Sequence, residues 1–381
     1  MAEPVAIGII GCGSVSDLYL KGAGRSQLVR VKSIADLRPE VAQAQAAKYG
    51  TQAVPIAALL ADRAIEIVLN LTVPTAHASV SRRIVDAGKH VYSEKPLATD
   101  VVAGRALIEA AAAHRLRVGC APDTFFGAGH QACRRAIDRG RIGRVVGGAA
   151  TIMHHGMEHW HPNPAFFFKF GGGPVLDLGV YYITQLVHLL GPVERVAAAG
   201  SVPSPTRTIT SEPLRGQRIE VEVMTTVNAV LLFANGANVS LTASWDVWKH
   251  ARNWCELYGT EGSLLAPDPN FFGGQPMVSE REDDWQALDT SELAFGEPNR
   301  MLRSGAHVAD YRIVGVIDMA IAIRGNRPHR ASGQLALHVL EVMEAIDRSS
   351  AEGRHVTVES RCERPEVLPL GHGEEVLTEG Q

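Results

Sequence analysis

The chain has 381 residues, of which 46% are hydrophobic and 20% charged, and 37 basic and 41 acidic residues give it a net charge of −4. This length predicts two domains, and the balanced charge without a basic run disfavours nucleic acid and anionic membranes as partners. The five cysteines are scattered, the first residues lack signal-peptide features, and no apolar run is long enough to span a bilayer. These observations predict a cytoplasmic protein.

The first third of the chain alternates short apolar runs with helical stretches. The apolar runs predict strands at residues 5–11, 28–36, 66–73, 90–96 and 117–122. Stretches such as "PEVAQAQAAKYG" and "AHASVSRRIVDAG" lie between them and predict helices. Because strands that alternate with helices form parallel sheets, residues 1–123 are predicted to be a doubly wound α/β domain.

The pattern changes after about residue 145, where longer strand candidates are separated by Gly and Asn turns. They include "RVVGGAATIMHH", "IEVEVMTTVNAVLLFA", "GANVSLTASWDVW" and "CELYGTEGSLLAP". Residues 124–381 are therefore predicted to be an α+β domain with a mostly antiparallel sheet. Within it we expect a surface excursion at 269–300, helices at 308–350 and a loosely ordered tail after Arg361.

A glycine-containing turn follows the first predicted strand. In "GIIGCGSVSDLYL", Gly11 and Gly13 permit a tight turn and let the backbone approach a pyrophosphate at the start of the next helix. Ser14 and Val15 extend this candidate contact. Ser16 takes the third motif position, where Gly or Ala is usual, and is small enough for close packing of the helix on the strand.

The next predicted strand ends in an acid, Asp36, which is followed by Leu37. A carboxylate at this position accepts hydrogen bonds from the adenosine ribose hydroxyls and repels a 2′-phosphate. The sequence therefore predicts NAD as the cofactor, with both residues in contact with it. Arg38 leaves NADP open as the less favoured alternative.

A Glu94-Lys95-Pro96 triplet stands at the end of the strand predicted at 90–96, at the edge where ligands bind in open α/β sheets. Alone, a lysine there is more often a solvated charge. After a Gly-x-Gly turn, however, the triplet resembles that of the Gfo/Idh/MocA family, the glucose–fructose oxidoreductases and inositol dehydrogenases. "LTVPTAHA" (71–78), "GGGPVLDLGVYYITQLVHLLGPV" (171–193) and "ELYGTEGSL" (256–264) also resemble segments of that family.

The resemblance implies a Rossmann domain followed by a domain with a large open sheet, whose solvent-facing back forms a homodimer or homotetramer. It implies that Lys95 lies between nicotinamide and substrate, where its cation stabilises the alkoxide that develops as hydride leaves carbon. It further implies cofactor contacts from Glu94 and from the loop under the nicotinamide, at Thr72, Pro74 and His77. Asp123, in "CAPDTFF", is a candidate substrate contact that departs from the larger polar or basic residues common there.

A polar face marks the helix predicted after the three glycines at 171–173. Asp177, Tyr181, Thr184 and His188 are spaced four, three and four residues apart, which places them on one face. In the family the residue four after the Asp is commonly a His that acts as acid/base, and here it is Tyr181. Thr184 stands where the family often has Asp, and it is retained as a candidate substrate contact.

Two assignments of the proton transfer stay open. Either Tyr181 exchanges the hydroxyl proton while the Lys95 cation favours its phenolate, or Lys95 exchanges the proton and Tyr181 orients the substrate. The first assignment is preferred. Asp177 would hold the pair by hydrogen bonding.

Four histidines lie within "HHGMEHWH", residues 154–161. Three of them, His155, His159 and His161, have the donor type and number that a catalytic zinc requires. The alternatives are ordinary structural histidines and the wall of a pocket for hydroxyl groups. Lys95 and Tyr181 already supply the polarisation and proton transfer that zinc would provide, so the pocket wall is preferred and no metal is predicted.

This interpretation makes the segment a recognition element for hydroxyl-rich molecules. Its candidate contacts are His154, His155, His161, the stacking ring of Trp160 and the more distant Lys169.

Together these features predict an NAD(H)-dependent oxidoreductase that acts on a secondary hydroxyl or ketone of a sugar, cyclitol or glycoside-like polyol. Two alternatives remain: a zinc-assisted alcohol dehydrogenase that uses the histidine cluster, and a non-catalytic dinucleotide-binding sensor. The presence of Lys95, Asp177 and Tyr181 disfavours the sensor.

Overall fold

A computed structural model describes residues 3–302 and 304–378, which divide into two compact units. The first comprises the described residues up to Gly127, Glu292–Leu340 and the described residues from Pro365 onward. The second comprises Ala128–Ser291 and Glu341–Arg364. The predicted break after residue 123 lies close to the first boundary, whereas the return of the chain to the first unit was not predicted.

The first unit is built on alternating strands and helices, as the apolar periodicity predicts. Its strands are β1 (Val5–Ile10), β2 (Val29–Ala35), β3 (Gln52–Ala53), β4 (Ile67–Asn70), β5 (His90–Ser93) and β6 (Val118–Cys120). Its first helices are α1 (Ser16–Ala23), α2 (Pro39–Tyr49), α3 (Ile56–Ala61), α4 (His77–Asp86) and α5 (Val101–Ala113). The short β3 and α3 are additions that the sequence reading did not contain.

The six strands pair in parallel in the order β3-β2-β1-β4-β5-β6. This is the doubly wound order: from β1 the strands are added first toward one edge, as β2 and β3, and then toward the other, as β4, β5 and β6. The strand order therefore reverses between β1 and β4. The central strands are apolar throughout because both faces of the sheet are covered, and every residue of β1 and β4 is buried. The carboxyl ends of β1, β2, β4 and β5 consequently lie along one edge.

The second unit is dominated by a mixed sheet. Its helices are α6 (Ala128–Asp138) and α7 (Val180–Leu190). Its strands up to the unit boundary are β7 (Val145–Met153), β8 (Val193–Ser201), β9 (Thr206–Thr208), β10 (Arg218–Glu220), β11 (Thr226–Phe233), β12 (Asn238–Ser244), β13 (Cys255–Gly259), β14 (Gly262–Ala266), β15 (Met277–Glu280) and β16 (Gln286–Ala287).

The remaining elements follow the segment at 269–300. They are β17 (Arg300–Met301), β18 (His307–Val308), α8 (Val314–Arg324), α9 (Gly333–Glu352) and β19 (Val356–Thr357). The carbonyl of Ala331 accepts a hydrogen bond from Cys120 at 3.1 Å, and Ser332 forms a bridge with Gly119. The chain between α8 and α9 therefore extends the edge of the first sheet beside β6, which is why this segment belongs to the first unit.

Within the described residues the large sheet has the order β16-β15-β14-β13-β7-β12-β11-β8-β19, and only β12 and β7 pair in parallel. This confirms the predicted, mostly antiparallel sheet. On β11 the buried residues alternate with exposed ones, so one face of the sheet is packed and the other is open. Small or polar side chains occupy much of the open face, among them Ala149, Ala197, Ala199, Asn228 and Ser240, and they surround the exposed apolar side chain of Val230.

Three local expectations were wrong. The stretch read as one strand at 219–234 is divided into β10 and β11, which belong to different sheets. The segment at 269–300 contributes β15, which pairs with β14. The tail after Arg361 is packed, because Leu368, Val376 and Leu377 are buried and Arg327 donates to the carbonyl of Leu377 at 3.1 Å.

No helix among residues 3–302 and 304–378 combines the length and apolar character that a membrane span needs.

Candidate active site

The turn after β1 is open where a phosphate group would approach. Gly11 has φ +100°, and a Cβ there would lie 2.5 Å from the carbonyl oxygen of Leu71, so only glycine fits. At Gly13 the opposite holds, since no heavy atom lies within 4 Å of the position a Cβ would take. Gly13 and Ser14 are exposed and Val15 is half-buried at the start of α1. Their backbone and the helix N-terminus fit a pyrophosphate.

Ser16, the departure from the usual motif, is accommodated by two hydrogen bonds. Its hydroxyl is fully buried, donates to the carbonyl of Gly13 at 2.7 Å and accepts from the side-chain amide of Gln45 at 2.8 Å. A buried hydroxyl costs stability only when it is unpaired, so serine fits here.

Asp36 is held at the end of β2 by the backbone. Its carboxylate accepts hydrogen bonds from the amides of Cys12 at 2.8 Å and Arg38 at 2.9 Å. Burial, and to a smaller extent the negative charge of Asp36, raises the pKa of the Cys12 thiol to about 12. The thiol is therefore neutral, and Asp36 is not placed beside a second negative charge. Two carboxylate oxygens offer about four acceptor positions, which leaves acceptors for ribose hydroxyls. Leu37, the next residue, is 86% exposed.

A hydrogen-bonded loop follows β4. The side-chain oxygen of Asn70 accepts from the Thr72 hydroxyl at 2.6 Å, and its amide donates to the carbonyl of His77 at 2.9 Å. The buried His77 ring lies 2.6 Å from the carbonyl of Pro96 and 3.0 Å from that of Thr72, and burial lowers its pKa. His77 thus ties this loop to the Glu94-Lys95-Pro96 segment, while the half-buried Pro74 begins a short 3₁₀ turn between them.

Lys95 lies two residues beyond β5 and is half-buried, and its peptide bond to Pro96 is cis. The carboxylate of Glu94 accepts the Lys95 amide at 3.0 Å and the hydroxyl of Tyr19 at 2.8 Å. The guanidinium of Arg312 lies 3.7 Å from the same carboxylate. Glu94 is therefore a fixed anchor for the backbone that carries Lys95.

Asp123, a predicted substrate contact, is buried in the first unit. It is 2% exposed and its carboxylate accepts the amide of Gly315, near the start of α8, at 2.9 Å. Burial raises the pKa of Asp123 to about 6. Its observed role is to join the end of the first sheet to α8.

In the second unit helical structure follows the three glycines, as predicted, and α7 ends at Leu190, directly before Gly191. Its first turn, Val175–Gly179, is π-helical and contains the half-buried Asp177. Such turns are frequent at functional sites. Every residue of α7, including Tyr181, is buried, so the helix has no single polar face directed to solvent. The Thr184 hydroxyl donates to the carbonyl of Val180 at 2.7 Å.

The four histidines separate instead of converging. Burial lowers the pKa of His154, and the nearby carboxylate of Asp177 opposes this shift. The ring of His155 stacks on Trp248 with centroids 3.4 Å apart. His161 contacts the rings of Phe166 and Phe167 edge-on, and it also contacts Trp160.

His159 is exposed. Over the described part of the chain, no three His, Cys, Asp or Glu side chains form a group able to hold a metal ion. The zinc alternative, which requires three converging imidazoles, therefore has no geometric support.

A buried ion-pair network supports the histidine segment, and the sequence analysis missed it. Arg207 on β9 is 5% exposed and donates to Glu158 at 2.8 Å. The same guanidinium bonds Asp246, whose other oxygen accepts from the hydroxyls of Thr225 and Thr226. The only signal in the sequence was the residue type of Glu158. An acid among histidines and a tryptophan indicates that it has a charged or hydrogen-bonding partner, but not that the partner is Arg207.

The candidates thus form two groups. In the first unit the cofactor candidates share one edge of the parallel sheet. In the second, His154 and Asp177 lie within electrostatic range of each other, as do His155, His159 and Glu158. Lys169 stands apart from these, because its ammonium pairs with Glu222 at 2.7 Å on the surface.

Comparison with known proteins agrees with this geometry. Residues 5–121 match the oxidoreductase family with an NAD-binding Rossmann fold, and residues 130–265 match the GFO/IDH/MocA C-terminal domain. An inositol 2-dehydrogenase of Rhizobium meliloti strain 1021 is 29% identical over an aligned region that covers 51% of this chain and 58% of that protein. A 1,5-anhydro-D-fructose reductase of Ensifer adhaerens is 27% identical over 93% of this chain and 98% of its own.

Among solved structures, a levoglucosan dehydrogenase in complex with NADH and L-sorbose has a TM-score of 0.79 and 23% identity, covering 94% of this chain and all of that one (100%). The likeness confirms the predicted fold. The first unit is an NAD-binding Rossmann domain, and the chain belongs to the Gfo/Idh/MocA family of oxidoreductases.

Proposed function

We propose that the protein oxidises a secondary hydroxyl of a sugar, cyclitol or glycoside-like polyol with NAD, or reduces the corresponding ketone. The relatives are named for an inositol, an anhydro-sugar and levoglucosan, which share ring carbons that bear hydroxyls. The family membership supports the redox chemistry. The choice of this substrate class is our proposal.

The observation that carries the proposal is the shared edge of the first sheet. Lys95 follows β5 at the same edge as the open turn at Gly13 and the acid at Asp36. NAD, when bound, supplies the acceptor for the hydride that leaves the substrate carbon. An ammonium beside that carbon is the group that a developing alkoxide requires.

Each catalytic candidate has a distinct task. Lys95 donates a hydrogen bond to the reacting oxygen, and Glu94 fixes the backbone that carries it. Tyr181 takes the hydroxyl proton, so that the proton goes to the phenolate as the C–H bond breaks and the C=O bond forms. Asp177, in the π-helical turn four residues before Tyr181, orients these groups. The opposite assignment, with Lys95 as proton carrier, remains the alternative.

We also propose a cytoplasmic homodimer or homotetramer. All five cysteines are free, which supports a reducing compartment. The open face of the large sheet, where small and polar side chains surround the exposed Val230, is the surface we assign to the contact between copies. Analytical ultracentrifugation of the wild type and of Val230→Arg measures this, since a charge at the centre of the contact would dissociate the copies.

The test is a substrate screen combined with a lysine variant. The wild type is assayed with myo-inositol, levoglucosan and simple hexoses against NAD and NADP, with NADH absorbance as readout. Lys95→Ala should lower kcat by at least about 10²–10³-fold because it removes the charge that stabilises the alkoxide. NADH binding, followed by fluorescence, should persist.

Lys21→Ala, which removes an exposed lysine from α1, is the matched control and should retain full turnover. Near-wild-type turnover of Lys95→Ala would refute the assignment. Stable NADH binding without turnover of any substrate in the screen would favour a sensor.

A further inference from the structure

Ile313 has a backbone conformation that its side chain disfavours. It lies directly before α8 with φ +123° and ψ −20°, in a region that usually requires glycine. Branching at Cβ makes this conformation costly, and strained residues of this kind persist where the surrounding structure holds them, often at functional sites. Ile313 is 3% exposed, so the strain lies inside the first unit. The conformation therefore indicates that the chain is held here for a purpose other than local stability.

The strained residue is held from both sides. A Cβ at Gly22 on α1 would lie 2.7 Å from the carbonyl oxygen of Arg312 and 2.7 Å from Cγ2 of Ile313. The two segments thus approach more closely than a side chain at position 22 would allow. After the strained residue, the amide of Gly315 donates to Asp123 at 2.9 Å. These contacts fix the backbone around Ile313 and thereby set the position of Arg312.

Arg312 brings a positive charge to a group of buried carboxylates. Its side chain is 16% exposed, and its guanidinium lies 3.7 Å from Glu94 and 3.5 Å from Asp310. It is also within electrostatic range of Asp123. Burial raises the pKa of Asp123 to about 6, and a backbone hydrogen bond and the Arg312 charge oppose this shift. One guanidinium is therefore shared by three carboxylates.

Other titratable or charged side chains near these carboxylates come from α1, α4, β5, β6 and the chain around them. They are Tyr19, His77, Tyr92, Lys95, Cys120 and Arg300. Burial raises the pKa of both tyrosines and of the cysteine and lowers the pKa of the histidine, so these four are neutral near pH 7. Of the two cations in this set, Arg300 pairs with Asp310. Lys95 is therefore the cation that Glu94 would attract if Arg312 were removed.

We propose that Arg312 is a positioning residue for the hydride transfer: by pairing with Glu94, it lets the Lys95 ammonium serve the reacting oxygen and not the neighbouring carboxylate. Glu94 Oε2 accepts the Lys95 amide at 3.0 Å. Its Oε1 atom faces Arg312 and also accepts the Tyr19 hydroxyl at 2.8 Å. A buried carboxylate without a cation attracts the nearest one strongly, because little water screens its charge. The inference rests on the proposed function, since it assigns Lys95 to the reacting oxygen.

The first test is Arg312→Met, which keeps an apolar side chain and removes the charge. With a polyol that the wild type oxidises, kcat should fall at least about tenfold because Lys95 is displaced. The Kd for NADH should change less than about twofold, because the turn at Gly13 and the acid at Asp36 are untouched. Arg312→Lys retains a cation and should recover most of kcat.

Arg324→Met is the matched control, since that arginine pairs with Glu66 in the same unit and 48% of its side chain is exposed. It should behave as the wild type. A wild-type kcat in Arg312→Met would overturn the proposal, and so would an Arg312→Lys enzyme no more active than Arg312→Met.

A double-mutant cycle separates pairing with Glu94 from a general structural effect. Glu94→Gln removes the carboxylate charge and lowers kcat by itself, because Glu94 anchors the backbone of Lys95. In that background Arg312→Met should lower kcat less than about twofold, since no charge is left on residue 94 to attract the lysine. Equal losses in the two backgrounds would overturn the proposal. If Arg312→Met does not fold, the double variant should fold, and failure of both would also overturn it.

The charge is measured without substrate by urea unfolding of the wild type and Arg312→Met between pH 5 and 8. A carboxyl whose pKa is higher in the folded chain than in the unfolded one contributes stability that is lost as the pH rises through the folded value. For Asp123 this loss should level off above about pH 6 in the wild type. In Arg312→Met it should continue to about pH 7 or higher, because a nearby cation lowers a carboxyl pKa by about one pH unit or more. Parallel curves would overturn the proposal.

The two proposals fail separately. If a polyol is oxidised and Arg312→Met turns over like the wild type, the proposed function stands and the role of Arg312 falls. If the wild type oxidises no polyol, the proposed oxidation falls, and the pH dependence of unfolding still decides whether Arg312 supplies the charge for these carboxylates.

Discussion

The cofactor edge of the first unit and the histidine segment of the second (residues 154–170) hold their candidate residues in opposite ways. At the cofactor edge the supporting bonds join the ends of parallel strands and the loops that follow them, as between Thr72 and Asn70 after β4 and between Cys12 and Asp36 after β1 and β2. In the histidine segment they are long-range, since Glu158 bonds Arg207 across 49 residues and the carbonyl of His161 accepts from Ser211 across 50.

The difference has an energetic consequence. Strand ends of a parallel sheet are fixed by the sheet itself, so the side chains at the cofactor edge are positioned by backbone geometry. The histidine segment has little regular structure and depends on buried charges, which are costly when one partner is lost. Changes in the second unit should therefore impair substrate chemistry and stability while NAD binding at the first is retained.

The sharpest separation of the two regions is expected from Tyr181→Phe. Removing the hydroxyl deletes the proposed proton acceptor and should lower kcat by about 10²–10⁴-fold, the usual contribution of general acid–base catalysis. The pH dependence of kcat should change as well. NADH binding should be unaltered, because the cofactor edge is untouched. Steady-state kinetics across pH and NADH fluorescence titration measure these effects.

Tyr182→Phe is the matched control, since Tyr182 is the adjacent buried tyrosine on the same helix. It should keep the wild-type pH profile. A large loss of kcat in Tyr181→Phe with an unchanged profile would assign the proton to Lys95 and leave Tyr181 with an orienting role.

A free-energy change of comparable size, in stability and not in the activation barrier, is expected when the ion pairs of Arg207 that support the histidine segment are broken. Arg207→Met leaves the buried carboxylate of Glu158 and the partly buried carboxylate of Asp246 without their cation, which should lower the free energy of unfolding by about 3–5 kcal/mol. Urea denaturation followed by tryptophan fluorescence measures this. Substrate KM should rise while the Kd for NADH stays constant.

Arg215→Met provides the contrast, because its pair with Glu212 lies on the surface, with 62% and 71% of the two side chains exposed. An exposed pair contributes about 0–1 kcal/mol. Equal destabilisation by the two variants would show that the buried network does not support the segment as we describe.

The same contrast explains what could be predicted from the sequence. Five of the six strands of the first sheet were correctly located, all but the short β3, because apolar runs and intervening helices are local patterns. The acid at Asp36 follows from its place at a strand end. The sequence also predicted a helix after the three glycines at 171–173. These features depend on neighbours a few residues away.

The rest depends on distant parts of the chain. Nothing in the sequence around Arg207 shows that its partner is Glu158, and residues 314–332 join the first unit through contacts with Asp123 and Cys120. The hydrogen bonds of the buried Asn70 had a weak local signal, because a side-chain amide at the end of an apolar strand must find hydrogen-bond partners. The π-helical turn at Asp177 had none, because its residue types are also compatible with an α-helix, whose turn contains fewer residues.

The smallest expected effect tests the cofactor edge alone. Asp36→Asn removes the charge that disfavours a 2′-phosphate and keeps one side-chain oxygen, which can accept only one of the amides of Cys12 and Arg38 because these donate to different oxygens of Asp36. Because a charged acceptor strengthens a hydrogen bond, NAD should bind about tenfold more weakly, and NADP should bind more tightly as repulsion is lost. Fluorescence titration with NADH and NADPH gives the ratio of the two Kd values.

Asp62→Asn is the control, since its carboxylate pairs with Lys32 on the same unit and its side chain is also partly exposed. It should leave the ratio of the two Kd values unchanged. The pH profile of turnover should be the same in Asp36→Asn and the wild type, whereas the loss of one backbone hydrogen bond should lower the free energy of unfolding by about 1 kcal/mol. An unchanged ratio in Asp36→Asn would show that the carboxylate does not select the cofactor, and Arg38 would then be the residue to vary.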